Sequence, residues 1–112
     1  FGCGAHSDYG IITLLLTDEN EGLQILHKGE WIDVPPRPDA FVVNLGDMCE
    51  RWTNGLMKST THRVITDGKR ERYSIPFFYD PTFDTVVKCL DNCTDENNPP
   101  KYPPTTAGQH LV

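Results

Sequence analysis

Residues 6 to 16 read His6-Ser7-Asp8-Tyr9-Gly10-Ile11-Ile12-Thr13-Leu14-Leu15-Leu16, and this stretch decides the fold. Its second half is apolar, rich in β-branched and aliphatic residues, and has the length of a strand. His6 and Asp8 are two positions apart, so on an extended segment their side chains point to the same side. The stretch therefore predicts a β-strand that follows two polar groups able to share one ligand.

Further segments with strand character follow, each bounded by turn residues. Lys28-Gly29 separates two of them and predicts a hairpin, and Asp67-Gly68 predicts a second tight turn. The almost wholly apolar segment 40–45 predicts a strand buried on both faces, and 48–52 predicts a helical turn. The predicted strands are 11–16, 23–27, 30–34, 40–45, 58–65 and 72–79.

Short strands at this spacing, with almost no helix, predict an all-β fold. An antiparallel double-sheet jelly roll, the double-stranded β-helix, brings a strand-end loop with His6 and Asp8 beside a strand with His62, nearly half the chain away. The pattern decays after residue 81. Residues 82–90 predict at most a short strand or helix, and 91–104, with four prolines, predict a polar loop. We therefore divide the chain into a core, 1–81, and a polar, proline-rich C-terminal extension, 82–112.

Composition excludes several classes of function. The chain has 112 residues and a formal net charge of −6, which argues against a nucleic-acid surface. No apolar run has the length of a membrane span, and no signal segment is seen. The cysteines make no C-x₂-C pair, which argues against a zinc site and favours free thiols in the cytoplasm. Because the chain opens at Phe1, immediately before the polar pair, we expect it to be a fragment truncated at its N-terminus.

Two imidazoles and one carboxylate are the ligand set that holds non-haem iron(II) on one face and leaves the other face open. We expect His6, Asp8 and His62 to be metal ligands and catalytic residues. Arg72 and Ser74 set a guanidinium fork beside a hydroxyl, and that fork matches a carboxylate in two parallel hydrogen bonds. Taken singly, each feature also has an ordinary structural reading, as a hydrogen-bonded core histidine or a surface arginine. Together they predict an iron centre with an acidic cosubstrate.

The chain resembles the catalytic core of the iron(II)- and 2-oxoglutarate-dependent dioxygenases, in the branch of isopenicillin N synthase, plant aminocyclopropanecarboxylate oxidase and the flavonoid oxygenases. The resemblance covers about residues 1–81. It rests on the order of several short motifs: His6-x-Asp8, Gly22-Leu23-Gln24, Gly29-x-Trp31, Asn44-x-Gly46-Asp47, Thr53-Asn54-Gly55, Lys58-Ser59, His62-Arg63-Val64 and Arg72-x-Ser74.

This resemblance implies a double-stranded β-helix with iron(II) bound by His6, Asp8 and His62, and 2-oxoglutarate held by Arg72 and Ser74. It implies that O₂ and 2-oxoglutarate are converted while a small organic substrate is hydroxylated or desaturated, with ascorbate as a further candidate cofactor. The family's N-terminal helices, and a tyrosine that contacts 2-oxoglutarate, are expected before Phe1.

Three alternatives stay open at this point. A sister oxidase can use the same metal ligands without 2-oxoglutarate and still keep the Arg-x-Ser pair. A non-catalytic jelly roll can keep these residues for stability or ligand binding. A fragment can also be inactive without the residues that precede it. The sequence identifies neither the substrate nor the oligomeric state.

Overall fold

The computed structural model describes residues 2–112, which form short strands joined by loops and two short helices. The helices are α1 (Asp47–Trp52) and α2 (Ala107–Leu111), and a 3₁₀ turn spans Asp91–Cys93. Among residues 2–112, neither helix has the length and hydropathy of a transmembrane span. The strands are β1 (Cys3–His6), β2 (Ile12–Thr17), β3 (Leu23–His27), β4 (Glu30–Asp33), β5 (Val42–Leu45), β6 (His62–Val64), β7 (Ser74–Tyr79), β8 (Val86–Val87) and β9 (Thr105–Thr106).

The strands form two main antiparallel sheets. One has the order β1-β6-β3-β4 and the other the order β5-β2-β7, while β8 and β9 pair separately. Strands close in sequence are divided between the sheets, so the chain crosses from one sheet to the other, as in a jelly roll. The all-β double-stranded β-helix predicted from the sequence is confirmed.

The hairpin predicted around Lys28-Gly29 is confirmed. β3 and β4 pair with Leu26 opposite Trp31 and His27 opposite Glu30. Lys28 and Gly29 have φ angles of 49° and 82°, and two consecutive positive φ angles define the turn whose twist matches that of the flanking strands. The hairpin places β3 beside β6, with Ile25 opposite His62.

Two strand predictions are wrong in detail. Of the predicted segment 58–65, residues 62–64 alone are a strand. The preceding residues form a loop. This loop is bonded to α1, since Ser59 N–H donates to Glu50 Oε2 at 2.7 Å. Strand β5 is not buried on both faces, since Val43 is 54% exposed. β5 is the edge strand of its sheet, and the exposure of Val43 leaves one of its faces open to solvent.

The C-terminal extension supplies much of the deepest packing. Met48 of α1, Val87 of β8 and Ala107 of α2 are at most 2% exposed and form one cluster, against which Ile11 and Trp52 pack. Residues 82–112 therefore lie against the segment that follows Asp8, and they brace it from outside the sheets.

Asn54 fixes the loop 91–104 onto the core. This residue is fully buried, and its Nδ2 donates to the carbonyl oxygens of Cys93, Asn98 and Pro99 at 3.1–3.3 Å. Its Oδ1 accepts the Lys101 N–H at 2.9 Å. One buried amide thus orders a polar, proline-rich loop that has no regular hydrogen-bond ladder of its own.

Candidate metal centre and cosubstrate pocket

The two site histidines face each other across a strand pair. β1 and β6 are antiparallel, with His6 directly opposite His62, and the two ring centroids lie 4.4 Å apart. His6 Nδ1 lies 2.7 Å from Gly4 O, and His62 Nδ1 lies 2.9 Å from Thr60 O. Because a carbonyl oxygen only accepts, both Nδ1 atoms carry the proton. Both Nε2 lone pairs are therefore left for a ligand.

Asp8 completes the group from the loop between β1 and β2. Its Oδ1 lies 3.5 Å from Nε2 of His6 and 3.5 Å from Nε2 of His62. The ligand atoms of these three residues lie within 4.8 Å of one another, and they form the one such group found among residues 2–112. Asp8 is buried and His62 partly buried, while His6 is exposed, so one side of the cluster stays open.

The other carboxylate oxygen of Asp8 is held by two donors from the second sheet. Thr13 Oγ1 of β2 donates to Oδ2 at 2.5 Å, and Asn44 Nδ2 of β5 donates to Oδ2 at 2.8 Å. Thr13 and Asn44 are themselves direct partners in the β2–β5 ladder. With Oδ2 occupied, Oδ1 is the oxygen that faces the imidazoles.

Burial is the largest single influence on the Asp8 carboxyl and raises its pKa. The hydrogen bonds from Asn44 and Thr13, with the charges of His62 and His6, lower it by more, so the pKa of Asp8 lies below its ordinary value of 3.8. The carboxyl is therefore ionised at neutral pH, as a metal ligand must be.

The backbone after Asp8 is fixed by the start of α1. Asp47 N–H donates to Asp8 O at 2.7 Å, and Met48 N–H donates to Gly10 O at 3.0 Å. Gly46 allows this approach, because a Cβ at Gly46 would lie 2.3 Å from Gly10 O. The turn from β5 into α1 thus packs closely against the loop that contains Asp8 and fixes its backbone through these hydrogen bonds.

Arg72 and Ser74 line one cavity of about 220 Å³, and the other residues that line it are Gly2, Cys3, Val64 and Thr66. Cys3 and Val64 are paired across β1 and β6, two residues along β6 from His62. Two residues of a strand span about 7 Å, so this cavity lies farther along β6 than the cluster of His6, Asp8 and His62. Arg72 lies just before β7 and Ser74 begins it.

The residues present fit an iron(II) ion. Two neutral imidazoles and one ionised carboxylate, open on one side, are the donor set of non-haem iron sites. A closed zinc site would need a fourth protein ligand. The nearest thiol, Cys3 Sγ, lies 3.6 Å from Nδ1 of His6, which is not the ring nitrogen that faces Asp8. The remaining histidines, His27 and His110, lie outside the cluster.

Sequence reasoning missed the two donors that hold Asp8. Thr13 interrupts an apolar strand, and Asn44 interrupts the apolar run 40–45. A single polar residue within an apolar strand indicates a buried hydrogen bond. This pattern was present in the sequence at both Thr13 and Asn44.

The family model of the 2OG-Fe(II) oxygenase superfamily matches residues 1–81. The chain belongs to this superfamily. Among curated relatives, it is 55% identical over 107 residues to the "2-oxoglutarate-Fe(II) type oxidoreductase hxnY" of Emericella nidulans, covering 94% of this chain and 31% of the relative. It is 45% identical over 114 residues to "Homoarginine-6-hydroxylase 2-ODD-C23" of Glycine max, covering 99% of this chain and 34% of the relative. The chain thus spans about a third of the length of these relatives.

Solved structures give the same result. A structure of JOX2 "in complex with 2OG, Fe, and JA" superposes with a TM-score of 0.90 at 43% identity, covering 95% of this chain and 32% of the other. A structure of a full-length Neurospora crassa protein in complex with alpha-KG and thymine superposes with a TM-score of 0.88 at 36% identity, covering 97% of this chain and 35% of the other.

Proposed function

We propose that the protein is an iron(II)- and 2-oxoglutarate-dependent dioxygenase that hydroxylates or desaturates a small organic substrate. One observation carries the proposal: Nε2 of His6 and Nε2 of His62 each lie 3.5 Å from the same oxygen of Asp8. Membership of the 2OG-Fe(II) oxygenase superfamily supports the same assignment.

In this proposal Nε2 of His6, Oδ1 of Asp8 and Nε2 of His62 are the metal ligands. Iron(II), when bound there, supplies open coordination positions for a 2-oxo acid and O₂, and with them the oxidising power. The chain's own contribution is orientation. The carbonyls of Gly4 and Thr60 fix both imidazole tautomers, and this arrangement keeps the lone pairs on the ligand side.

Arg72 and Ser74 are proposed to hold the far carboxylate of 2-oxoglutarate. The guanidinium offers a fork of N–H donors that matches a carboxylate, and the hydroxyl adds one more hydrogen bond. Without a cationic partner, a carboxylate enclosed in this cavity would be strongly disfavoured. Ascorbate is a candidate supporting reductant.

The proposed substrate is a small organic molecule, with no nucleic-acid or membrane partner. The relatives include a protein named as a homoarginine 6-hydroxylase and a protein crystallised with thymine. The formal net charge of −6 disfavours binding to nucleic acid. We further propose that 1–81 is the catalytic core and 82–112 an extension that braces it. The four free cysteines support a reducing compartment, the cytoplasm.

The test is an anaerobic titration of the protein with iron(II) and then with 2-oxoglutarate, followed by admission of O₂. The expected results are a weak visible charge-transfer band on addition of 2-oxoglutarate, its absence in His62→Ala, and its retention in His27→Ala, which changes an exposed histidine outside the cluster. After O₂ is admitted with a panel of small substrates, succinate should form as O₂ is consumed.

Two outcomes would overturn the proposal. O₂ consumption that does not require 2-oxoglutarate would assign the protein to the sister oxidases. Iron binding that is equal in the protein and in His62→Ala would place the metal elsewhere and remove the basis of the assignment.

A further inference from the structure

We infer that the loop 18–22 is the positioning element for Arg72, and that Asn20 and Gly22 fix the stem of this side chain, which lines both an outer cavity and the proposed cosubstrate pocket. The inference rests on the proposed function and deepens it, because it names residues that determine selectivity for a dicarboxylic 2-oxo acid. Arg72 is the residue that needs such support, since it lies before the first residue of β7.

The loop first fixes the backbone on both sides of Arg72. Tyr73 N–H donates to Asp18 Oδ2 at 2.7 Å, and Asp18 N–H donates to Tyr73 O at 3.1 Å. On the other side, Asn20 Nδ2 donates to Glu71 O at 3.1 Å. The loop thus extends the pairing of β2 and β7 past the end of the ladder and fixes the point from which the Arg72 side chain leaves the chain.

Asp18 also shapes the loop itself. Its Oδ1 accepts the Asn20 N–H at 2.9 Å, which folds the chain back two residues on. The hydrogen bonds from the backbone N–H groups of Tyr73 and Asn20 lower the pKa of Asp18. The same carboxylate therefore holds the loop and the residue that follows Arg72.

The loop next holds the Arg72 side chain. Arg72 Nε donates to the carbonyl oxygen of Asn20 at 3.1 Å. A Cβ at Gly22 would lie 3.2 Å from Cδ and from Nε of Arg72, and 2.6 Å from Ile65 O. The stem of the arginine therefore lies across the bare Cα of Gly22. With Nε engaged, the two terminal nitrogens keep the fork geometry that a carboxylate recognises.

A second cavity shows why the position of the Arg72 side chain has to be fixed. Arg72 also lines an outer cavity of about 720 Å³, whose other charged side chains are Arg70 and four carboxylates: Glu19, Glu21, Asp33 and Asp67. These carboxylates attract a guanidinium that is free to move. Asn20 and Gly22 line this outer cavity too, and their contacts fix the stem of Arg72 there. A fixed stem limits how far the guanidinium can move toward the carboxylates. The terminal nitrogens thus stay within reach of the cavity of about 220 Å³, which Arg72 also lines.

The test compares two 2-oxo acids that differ at the far end. The protein, Asn20→Ala and Gly22→Ala are titrated anaerobically, after loading with iron(II), with 2-oxoglutarate and with 2-oxobutyrate, which lacks the distal carboxylate. Asn20→Ala keeps the backbone carbonyl that accepts from Arg72 Nε and removes the hydrogen bond from Asn20 Nδ2 to Glu71 O. The loss of this neutral hydrogen bond should raise the Kd for 2-oxoglutarate by about two- to tenfold. Gly22→Ala, which also displaces the stem of Arg72, should raise this Kd by at least as much. The Kd for 2-oxobutyrate and the iron affinity should be unchanged in both variants. Selectivity for the dicarboxylate then falls while the metal site is intact.

Matched controls separate this effect from a general loss of structure. Gly29→Ala also places a side chain at a positive φ, but its Cβ meets nothing within 4 Å. Asn97→Ala changes an exposed loop asparagine. Both controls should keep the selectivity of the unmodified protein. If Gly22→Ala does not fold, because of the approach to Ile65 O, Asn20→Ala decides the question.

Unchanged selectivity in Asn20→Ala would overturn the inference, and so would an equal loss of affinity for both 2-oxo acids. A failure of the proposed function is distinguishable from these results. In that case the unmodified protein itself would bind 2-oxoglutarate no more tightly than 2-oxobutyrate.

Discussion

Replacing Asn44 by alanine tests how the second sheet supports the metal centre. Asn44 Nδ2 donates to Oδ2 of Asp8 at 2.8 Å, and the acceptor is ionised. A hydrogen bond to a charged group contributes about 1.5–3 kcal/mol, and each 1.4 kcal/mol corresponds to about a factor of ten in affinity. We therefore expect Asn44→Ala to weaken iron(II) binding by about 10- to 100-fold, the range typical of residues that orient metal ligands.

The assay is an anaerobic iron(II) titration of the protein, Asn44→Ala and Thr13→Val. Thr13→Val keeps the shape of the side chain and removes the other donor to Oδ2, at 2.5 Å. The two donors share one oxygen, so we expect the effects in the double variant to be non-additive. Thermal unfolding of the metal-free proteins reports any general loss of stability separately.

One result would refute this reasoning. If Asn44→Ala is folded and binds iron(II) with the affinity of the unmodified protein, then the hydrogen bond to Oδ2 does not orient Asp8. Equal losses in Asn44→Ala and in a variant far from the cluster, such as Asn92→Ala, would point to stability rather than to orientation.

Three further predictions follow from the contacts. Arg72→Lys should raise the KM for 2-oxoglutarate by more than about tenfold, because an ammonium cannot form two parallel hydrogen bonds with a carboxylate; an unchanged KM in steady-state kinetics would remove Arg72 from the pocket. Asn54→Ala should lower the free energy of unfolding by about 3 kcal/mol, since it removes a buried amide that pairs with several backbone groups of the loop 91–104; urea denaturation measures this loss, and a loss below about 1 kcal/mol would contradict the prediction. The backbone N–H groups of Tyr73 and Asn20 hold the pKa of Asp18 below 3.8, so its stabilising contribution is complete above that pH and is lost as the pH falls through the folded-state pKa. Asp18→Asn should therefore reduce the fall in the free energy of unfolding as the pH is lowered below about 4. The same pH dependence of this free energy in both proteins would refute the prediction.

The parts of the fold that the sequence predicted are those set by local patterns. The hairpin of β3 and β4 follows from Lys28-Gly29 between two apolar segments. The helical turn predicted at 48–52, before the turn residues Thr53-Asn54-Gly55, is observed as α1. The strand content followed from β-branched and aliphatic residues between turn signals. Each of these depends on neighbours in the chain, so a single sequence carries the information.

The parts that the sequence did not predict depend on distant contacts. Thr13 and Asn44 are visible in the sequence as polar residues within apolar strands, but their acceptor becomes known only when β2 and β5 pair and both donors meet Asp8. Val87 and Ala107 lie in short segments of a polar extension that show no periodic apolar pattern, so their burial against Met48 leaves no signal in the sequence. In both cases the partner is far away in the sequence, and the tertiary fold alone selects it.

The central claim is tested most directly by the position of iron in crystals of the protein grown anaerobically with iron(II), located by anomalous scattering at the iron edge. The predicted result is one peak at about 2.0–2.2 Å from Nε2 of His6, Oδ1 of Asp8 and Nε2 of His62. A peak bound by other residues, or an iron-loaded crystal in which His62 is not a ligand, would contradict the account.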